Sequence, residues 1–337
     1  MGSVIPLKKE INNSYLRLKN LVGSKLDDVS QQIRYKLASE INLIHKMTDY
    51  HIKSGGKRIR PLLTLASAKL CGYKNGNRDV NLAACIELIH NATLLHDDVI
   101  DNSDLRRGTK TANSVWGNQS SILVGDYLFS RCFEMMVEDG SQEILKLLSS
   151  TSSKIAQGEV LQLEHKGEID LLEETYFNII NMKTAALFAA ATKVGACLGE
   201  RSKKEKDALE SYGRNLGLAF QIADDALDYF SSTNIFGKEI GKDFYEGKTT
   251  LPLIIIFQRG NDEERSFLKE IFKKNKRNED DFSETLSLIN KYKAVEASFK
   301  RAEYFVNVSC DALGIFQHSE EKKVLQNLTE FSLNRSF

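Results

Sequence analysis

The chain is poor in the patterns that mark β-structure and membrane spans. Only three prolines occur in 337 residues, at positions 6, 61 and 252, and alternating apolar and polar runs of the strand type are almost absent. No apolar run approaches the ~18 residues that a transmembrane helix needs. The longest weakly polar stretch, 185–198, contains Lys193 and suits a buried helix. These absences argue against an all-β protein and predict that no segment spans a membrane.

The charge balance and the cysteine pattern argue against further classes. Lys and Arg number 46, and Asp and Glu also number 46, so no net field attracts nucleic acid. The five cysteines are odd in number and never stand in CxxC spacing, which argues against a disulfide framework or a zinc site. The N-terminal sequence lacks the apolar core of a signal peptide. We therefore expect a cytoplasmic protein with free thiols and no nucleic-acid partner.

What the chain does contain is a succession of helical stripes. The clearest covers about 79–101, where small and large apolar residues recur every three or four positions. Asp79 and Ser114 are candidate N-caps for this helix and the next. Similar blocks are expected at about 25–50, 60–71, 115–138, 141–165, 172–198, 204–230, 249–258, 262–274, 283–294, 296–314 and 318–333.

These blocks predict an all-α protein. We expect residues 1–337 to form one large single-domain helical bundle with a central active-site cavity, a common place for sites in such folds. Residues 1–24 are expected to be peripheral. The charge-dense stretch 259–282 is expected to be a solvated helix and loop without a catalytic role.

Two acidic motifs of the form DDxxD end two of the apolar blocks. The first is Asp97-Asp98-Val99-Ile100-Asp101 and the second is Asp224-Asp225-Ala226-Leu227-Asp228. On a helix, the first and last aspartates of the first motif share a face, and His90 lies two turns earlier on that face. In the second motif Gln221, Asp225 and Asp228 share a face, with Asp224 beside it.

Like charges four residues apart destabilise a helix, and this chain places them twice without an evident partner. A hard divalent cation such as Mg²⁺ is the natural partner of carboxylate oxygens, and it completes its shell with water and substrate phosphates. The motifs therefore predict an enzyme that holds a diphosphate between two metal-binding walls. The alternative is two solvated acidic helix ends.

Basic residues form three clusters that suit phosphate. The first is the glycine-flanked run Lys57-Arg58-Ile59-Arg60 before a helix, and the second is Arg106-Arg107 close after the first acidic motif. The third comprises Lys238, Lys242 and Lys248, and the pair Lys183-Thr184 lies inside an apolar block. The alternatives are a capping turn for the first cluster, charge balance for the second, a snorkelling lysine at 183 and a satisfied core histidine at 90.

Together these residues resemble the trans-prenyl diphosphate synthases, and the motif sequences are most similar to those of the long-chain branch. The resemblance covers the chain from about residue 25 to its end. It is carried by GGKRIRP at 55–61, LLHDDVIDNSDLRRG at 94–108, GDYLFS at 125–130, QGEVLQLE at 157–164, MKTAALF at 182–188, GLAFQIADDALDYF at 217–230 and GKEIGKDFYEGKTTLP at 237–252. It implies an all-helical fold of the isoprenoid synthase type, usually a homodimer, that depends on Mg²⁺.

The resemblance also implies a role for each motif residue. The isopentenyl diphosphate site would comprise Lys57, Arg60, His90 and Arg107. The allylic diphosphate site would comprise Arg106, Lys183, Thr184, Gln221 and Lys238. Asp97, Asp101 and Asp224 would bind Mg²⁺, three ions in each active site, supported by Asp98, Asp225 and Asp228. The catalytic set would be these six aspartates together with Lys183.

The implied reaction joins an allylic diphosphate to successive isopentenyl diphosphates. In the family, bulk four or five residues before the first aspartate stops chain growth, and here those positions hold the small residues Thr93 and Ala92. We expect a long all-trans octaprenyl or decaprenyl product, used for the ubiquinone side chain. The alternatives are a synthase of geranylgeranyl or farnesyl diphosphate and a non-catalytic subunit of a heteromeric synthase. Thr93 and Ala92 could instead be small only because neighbouring helices pack closely there.

Overall fold

The computed structural model describes residues 5–53, 56–74, 76–106, 108–230 and 240–333. Its helices are α1 Ile5–Val22, α2 Lys25–Lys36, α3 Asn42–Lys53, α4 Ile59–Leu70, α5 Arg78–Ile100, α6 Ala112–Trp116, α7 Asn118–Asp139, α8 Gln142–Glu164, α9 Glu173–Ile180, α10 Ala186–Leu198, α11 Lys203–Leu227, α12 Lys242–Glu246, α13 Leu251–Arg259, α14 Asp262–Lys273, α15 Glu279–Lys291, α16 Ala294–Ala312 and α17 Glu320–Leu333. A π-helical segment, Asn181–Ala185, joins α9 to α10, and a 3₁₀ turn, Leu313–Ile315, follows α16. The all-α prediction is confirmed.

The strands of the described chain form one small hairpin. Strands β1 Leu105–Arg106 and β2 Thr109–Lys110 pair antiparallel, with Arg106 opposite Thr109. Gly108 lies in the turn with φ +75°, a conformation that favours glycine. The hairpin directly follows the first acidic motif, so Arg106 in β1 lies close to that motif.

The long helix α11 lies at the centre of the bundle. It packs against α10 on one side and α16 on another. Its first half supplies Leu209, Tyr212 and Leu216 to a core shared with α2, α4, α5 and α7. Its second half supplies Ile222 and Ala226 to a core shared with α13 to α16. The helix that carries the second acidic motif is therefore held by packing along its length.

Several expected boundaries differ from the structure. The block expected at 25–50 is two helices, because the chain turns after α2, where the Ser39 hydroxyl accepts a hydrogen bond from the Ile41 amide at 3.1 Å. Asp79 does not cap α5; Asn77 occupies that position, and Asp79 in the first turn pairs with Lys25. Ser114 lies inside the short helix α6 rather than before α7, which begins after Gly117.

The two segments expected at the periphery each bury one face. In the segment 1–24, Leu18 and Val22 on α1 enter the core, because α1 packs against α4 and α17. In the segment 259–282, α14 is an amphipathic helix that begins with a capping box between Asn261 and Glu264. Leu268 is fully buried, while Asp262 and Glu263 in the first turn are exposed.

Candidate active site

The first acidic motif ends α5 at the wall of a large cavity of about 1170 Å³. Asp97 and Asp101 line this cavity, and so does His90 two turns earlier. This is the shared helix face that the spacing predicts. Burial alone would raise the pKa of Asp101, but the ammonium groups of Lys248, Lys183 and Lys242 outweigh burial and lower that pKa.

The middle aspartate of the first motif is turned away from the cavity. Asp98 is only 2% exposed and is not among the residues that line the cavity. Its Oδ1 accepts a hydrogen bond from Arg106 Nε at 2.9 Å and forms an ion pair with Nη2 of the same guanidinium at 2.7 Å. Arg106 itself lines the cavity. Asp98 therefore fixes the direction of a cavity arginine, because a paired guanidinium has little freedom to rotate.

The second acidic motif ends α11 on the facing wall. Asp224, Asp225 and Asp228 all belong to the cavity lining. Asp228 Oδ2 accepts a hydrogen bond from the Asp243 amide at 2.8 Å, which ties the motif to the start of α12.

Asp225 is the most buried aspartate of the second motif. Its Oδ2 accepts a hydrogen bond from the Tyr176 hydroxyl at 2.6 Å, and its Oδ1 accepts one from Gln221 Nε2 at 2.8 Å. Burial raises the pKa of Asp225 well above its ordinary value, and the neighbouring Asp243 adds to this effect. Asp225 thus orients Gln221 within the cavity wall.

The π-helical segment places two neighbouring polar residues on the cavity. Lys183 and Thr184 both line it, and the Thr184 hydroxyl donates to Gln221 Oε1 at 2.8 Å. Single π-turns within helices are rare and occur frequently at functional sites. An extra residue in this turn changes the direction of successive side chains, which a sequence read as a regular helix does not show.

Lys183 is held by two residues of α8. Its ammonium donates to Glu159 Oε2 at 2.7 Å and to Gln162 Oε1 at 2.9 Å. Burial raises the pKa of Glu159 to about 7, with Lys183 acting against this shift and Asp97 adding to it. Glu159 is a site residue that was not predicted from the sequence, although it lies within QGEVLQLE at 157–164, one of the motifs that carry the resemblance.

Lysines that follow the second motif connect the two acidic walls. Lys248 donates to Asp101 Oδ2 at 2.7 Å and also pairs with Glu246 at 2.8 Å. Lys242 donates to the hydroxyl of Ser103 at 2.8 Å, just beyond the first motif. Since both walls are joined through these contacts, the two DDxxD motifs face one common cavity. Lys238 lies outside the described residues.

The first basic cluster forms another side of the same cavity. Lys57, Arg58 and Arg60 all line it. The Arg60 guanidinium lies over the Phe188 ring, 4.5 Å from its centroid, a distance at which a cation and an aromatic face attract each other. The Arg58 side chain donates instead to the Ser30 hydroxyl. Arg107 lies outside the described residues.

The lining also contains an apolar part. It includes Ile33, Ile52, Leu94, Ile155, Phe188 and Phe220. Thr93 belongs to the lining, whereas Ala92 is fully buried and does not. Ala92 lies on the side of α5 that also carries His96, whose ring packs against Phe129 of α7 at 6.0 Å. The chain-length role of both positions stays a prediction.

The donor set fits a hard divalent cation. Carboxylate oxygens from two helices face one cavity, beside groups suited to phosphate. Among the residues that the structure describes, no group of three or more His, Cys, Asp or Glu side chains is close enough to hold a metal ion by itself. Mg²⁺ is one cation of this kind: it usually takes one or two carboxylates and completes its shell with water and substrate phosphates.

The fold and the site define a class: an all-α enzyme whose cavity brings together carboxylates, cations and an apolar pocket. Residues 41–289 match the polyprenyl synthetase family model. The chain is 38% identical to octaprenyl diphosphate synthase from Escherichia coli over 95% of this chain and 98% of that protein. It is 37% identical to a short chain isoprenyl diphosphate synthase from Methanothermobacter thermautotrophicus over 86% and 90%.

Solved structures show the same relationship. A polyprenyl synthase from Caulobacter crescentus, complexed with calcium and isoprenyl diphosphate, is 41% identical with a TM-score of 0.92, over 96% of this chain and 98% of that one. A decaprenyl diphosphate synthase from Rhodobacter capsulatus is 40% identical with a TM-score of 0.91, over 96% and 99%. The chain belongs to the polyprenyl synthetase family and is a prenyltransferase, which confirms the resemblance seen in the sequence.

Among the described residues, no helix is both long enough and apolar enough to pass through a bilayer.

Proposed function

We propose that this enzyme condenses an allylic diphosphate with successive isopentenyl diphosphates to give a long all-trans polyprenyl diphosphate, of the octaprenyl or decaprenyl class. One observation carries the proposal. Asp97 and Asp101 from α5 face the same cavity as Asp224 and Asp228 from α11, and that cavity also contains the basic cluster before α4. Such a cavity can hold two diphosphates and an apolar chain together.

The two diphosphates occupy different sides of the cavity. Lys57, Arg60 and His90 take the diphosphate of isopentenyl diphosphate. The allylic diphosphate lies between the acidic walls, beside Arg106, Lys183, Thr184 and Gln221. The family resemblance adds Arg107 to the first set and Lys238 to the second; both lie outside the described residues. This arrangement is supported by the cationic and hydroxyl donors at each side, since diphosphate oxygens accept hydrogen bonds strongly from charged groups.

Asp97, Asp101 and Asp224 would hold Mg²⁺, three ions in each active site, with Asp228 in support. When bound, these ions neutralise the negative charge that develops on the departing diphosphate. Asp98 and Asp225 act differently in this proposal, since they orient Arg106 and Gln221. The Caulobacter crescentus relative is complexed with calcium and isoprenyl diphosphate, which supports a divalent-cation site in this enzyme.

The side chains of this enzyme position the substrates and stabilise charge. Lys183 and Arg106 stabilise the leaving diphosphate as the allylic carbon–oxygen bond breaks. Arg60 and Lys57 hold the second substrate so that its double bond lies next to the allylic carbon. The proton lost after carbon–carbon bond formation goes to the released diphosphate, so no protein base is required. The apolar lining excludes water, which would add to the allylic carbocation left by bond cleavage and convert it to an alcohol.

The long product is supported by the apolar part of the cavity and by the small residue Thr93 in its wall. Relatives named octaprenyl and decaprenyl diphosphate synthase support the same length. We infer that the product supplies the ubiquinone side chain. We also place the enzyme in the cytoplasm, in agreement with five cysteines that are all free thiols.

A homodimer is supported by an exposed apolar surface on two neighbouring helices. Ile122, Phe133 and Val137 on α7 are exposed, the last by 66%, and so are Val160 and Leu163 on α8. Exposed apolar patches of this kind mark interaction sites. Light scattering should give twice the mass of one chain, and a lysine in place of Val137 should weaken the dimer. A monomeric wild-type protein would contradict this assignment.

The product assay tests the proposal. Purified enzyme is incubated with farnesyl diphosphate, isopentenyl diphosphate and Mg²⁺, and the products are separated by chain length. Octaprenyl or longer products are expected. Growth that stops at geranylgeranyl diphosphate would favour the short-chain alternative, which the Methanothermobacter thermautotrophicus relative supports. No product from this chain alone would favour a non-catalytic subunit.

Substitution then tests the chain-length positions. Thr93 lies in the cavity wall, so the larger side chain of Thr93→Phe should narrow the cavity and shorten the product. Ala92→Phe is the companion variant, and an unchanged product there would show that this fully buried position does not reach the growing chain. An unchanged product with both variants would show that this part of α5 does not contact the growing chain.

A further inference from the structure

Helix α8 approaches the π-helical segment unusually closely at Gly158. A β-carbon at this position would lie 2.8 Å from the Lys183 amide nitrogen and 2.9 Å from Met182 Cβ. Both distances are shorter than van der Waals contact, so only glycine allows the two backbones to come this near. The next residue of α8 is Glu159, which therefore reaches Lys183 directly.

Two acceptors on one face of α8 converge on a single ammonium group. Glu159 and Gln162 are three residues apart, a spacing that places side chains next to each other on a helix. They accept hydrogen bonds from Lys183 Nζ at 2.7 and 2.9 Å. An ammonium has three N–H donors, so these contacts leave one donor for an oxygen of a bound substrate.

The Glu159 carboxylate is otherwise poorly placed. Its side chain is 17% exposed, and among the described residues its second oxygen, Oε1, is buried without a hydrogen bond of normal geometry. It also lies in the electrostatic range of Asp97, in a cavity where the substrates are themselves anions. Any negative charge on this carboxylate opposes diphosphate binding. The contact with Lys183 is the favourable interaction that the structure shows for it.

We propose that Glu159 and Gln162 are positioning residues that hold the Lys183 ammonium in place for the departing diphosphate. The inference rests on the proposed function, because that function places the allylic diphosphate beside Lys183. Glu159 acts through Lys183 and is not itself a ligand of substrate. Gly158 contributes to this arrangement, because it sets the distance between α8 and the π-helical segment.

The test is a separation of kcat from KM in Glu159→Gln, which keeps the shape of the side chain and removes its charge. Without the carboxylate the Lys183 ammonium becomes mobile, and kcat should fall about 10- to 100-fold, as expected for a displaced catalytic group. The KM for farnesyl diphosphate should stay level, because Glu159 acts through Lys183 and does not itself contact the substrate. Gln162→Leu should lower kcat in the same direction, by a smaller factor.

Glu143→Gln is the matched control. Glu143 lies on the same helix and accepts from Lys206 Nζ at 2.7 and 2.9 Å, but it does not line the active-site cavity. The control should keep wild-type kcat and KM. An equal loss of kcat in this control would overturn the inference, because the effect would then follow from any broken ion pair on α8.

A double-mutant cycle shows whether Glu159 acts through Lys183. In a Lys183→Met background, measured with enough enzyme to follow the weak reaction, Glu159→Gln should cause no further loss, because residues that act as a unit are not additive. A full additional loss would overturn the inference, and so would wild-type kcat in the single variant. A wild-type enzyme that forms no product would instead overturn the proposed function.

Discussion

Replacing Gly217 by alanine tests whether the close packing of α11 on the π-helical segment is needed for catalysis. A β-carbon at Gly217 would lie 2.7 Å from Ala185 Cα and 3.1 Å from Phe188 Cβ. Ordinary carbon–carbon contacts begin near ~3.5 Å, so the two elements must separate by roughly 0.8 Å. The Thr184 to Gln221 hydrogen bond, 2.8 Å long, spans this same contact. Lengthened by that amount it would no longer be a hydrogen bond.

Competing contributions decide the effect of Gly217→Ala on stability. Alanine in place of glycine inside a helix favours folding by about 1 kcal/mol. Overpacking costs about 1–3 kcal/mol, and the lost hydrogen bond costs about 1 kcal/mol more. The unfavourable effects are larger, so the free energy of unfolding should fall by about 1–3 kcal/mol. The catalytic effect should be greater, with kcat about 10-fold lower, because Thr184 and Gln221 no longer hold their positions.

The assay compares Gly217→Ala with Gly314→Ala. A β-carbon at Gly314 would meet no atom of the described residues within 4 Å, so this variant tests a glycine substitution without overpacking. Urea unfolding gives the stability, and product formation from farnesyl and isopentenyl diphosphates gives kcat. If Gly217→Ala kept both values of the wild type, the separation of these two helical elements would not control the site.

Three further predictions concern buried groups. Tyr176→Phe removes a hydroxyl donor from the buried carboxylate of the second motif, so it should cost about 1–3 kcal/mol in urea unfolding and also lower kcat. Tyr212→Phe, another buried tyrosine, is the control that should lose stability but keep kcat. Asp98→Asn should weaken the hold on its arginine partner and raise the KM for farnesyl diphosphate; an unchanged KM would contradict this. Burial raises the pKa of Cys71 to about 12, so its alkylation near neutral pH should be slow until the protein unfolds; rapid alkylation of the folded protein would show that this thiol is accessible.

Much of the fold was predictable because apolar residues recur at helical spacing along most of the chain. The stripe at 79–101 predicted α5 within a residue or so, and the second motif was correctly placed at the end of a long helix. Cap positions were less predictable, since an aspartate or serine near a helix start can equally lie inside the first turn. Asp79 shows this, because its pairing with Lys25 comes from a helix distant in sequence.

The candidate site was predictable where a residue acts within one helix. The i,i+4 spacing of Asp97 and Asp101 fixes their common face whatever the rest of the chain does. The different surroundings of the middle aspartates could not be foreseen from this spacing. Asp98 meets Arg106 from the following hairpin, and Asp225 meets Tyr176 from α9, so each is directed by an element outside its own helix.

The sequence by itself determined the helical class, the acidic motifs and the family, because periodicity and local spacing are properties of neighbouring residues. Tertiary structure alone decided that Asp101 and Asp224 face one cavity, that Glu159 reaches Lys183, and that Ala92 is enclosed while Thr93 is not. Those relations depend on how closely helices approach and on a π-turn that shifts the register of α10. Packing sets both, and no local pattern in the chain records them.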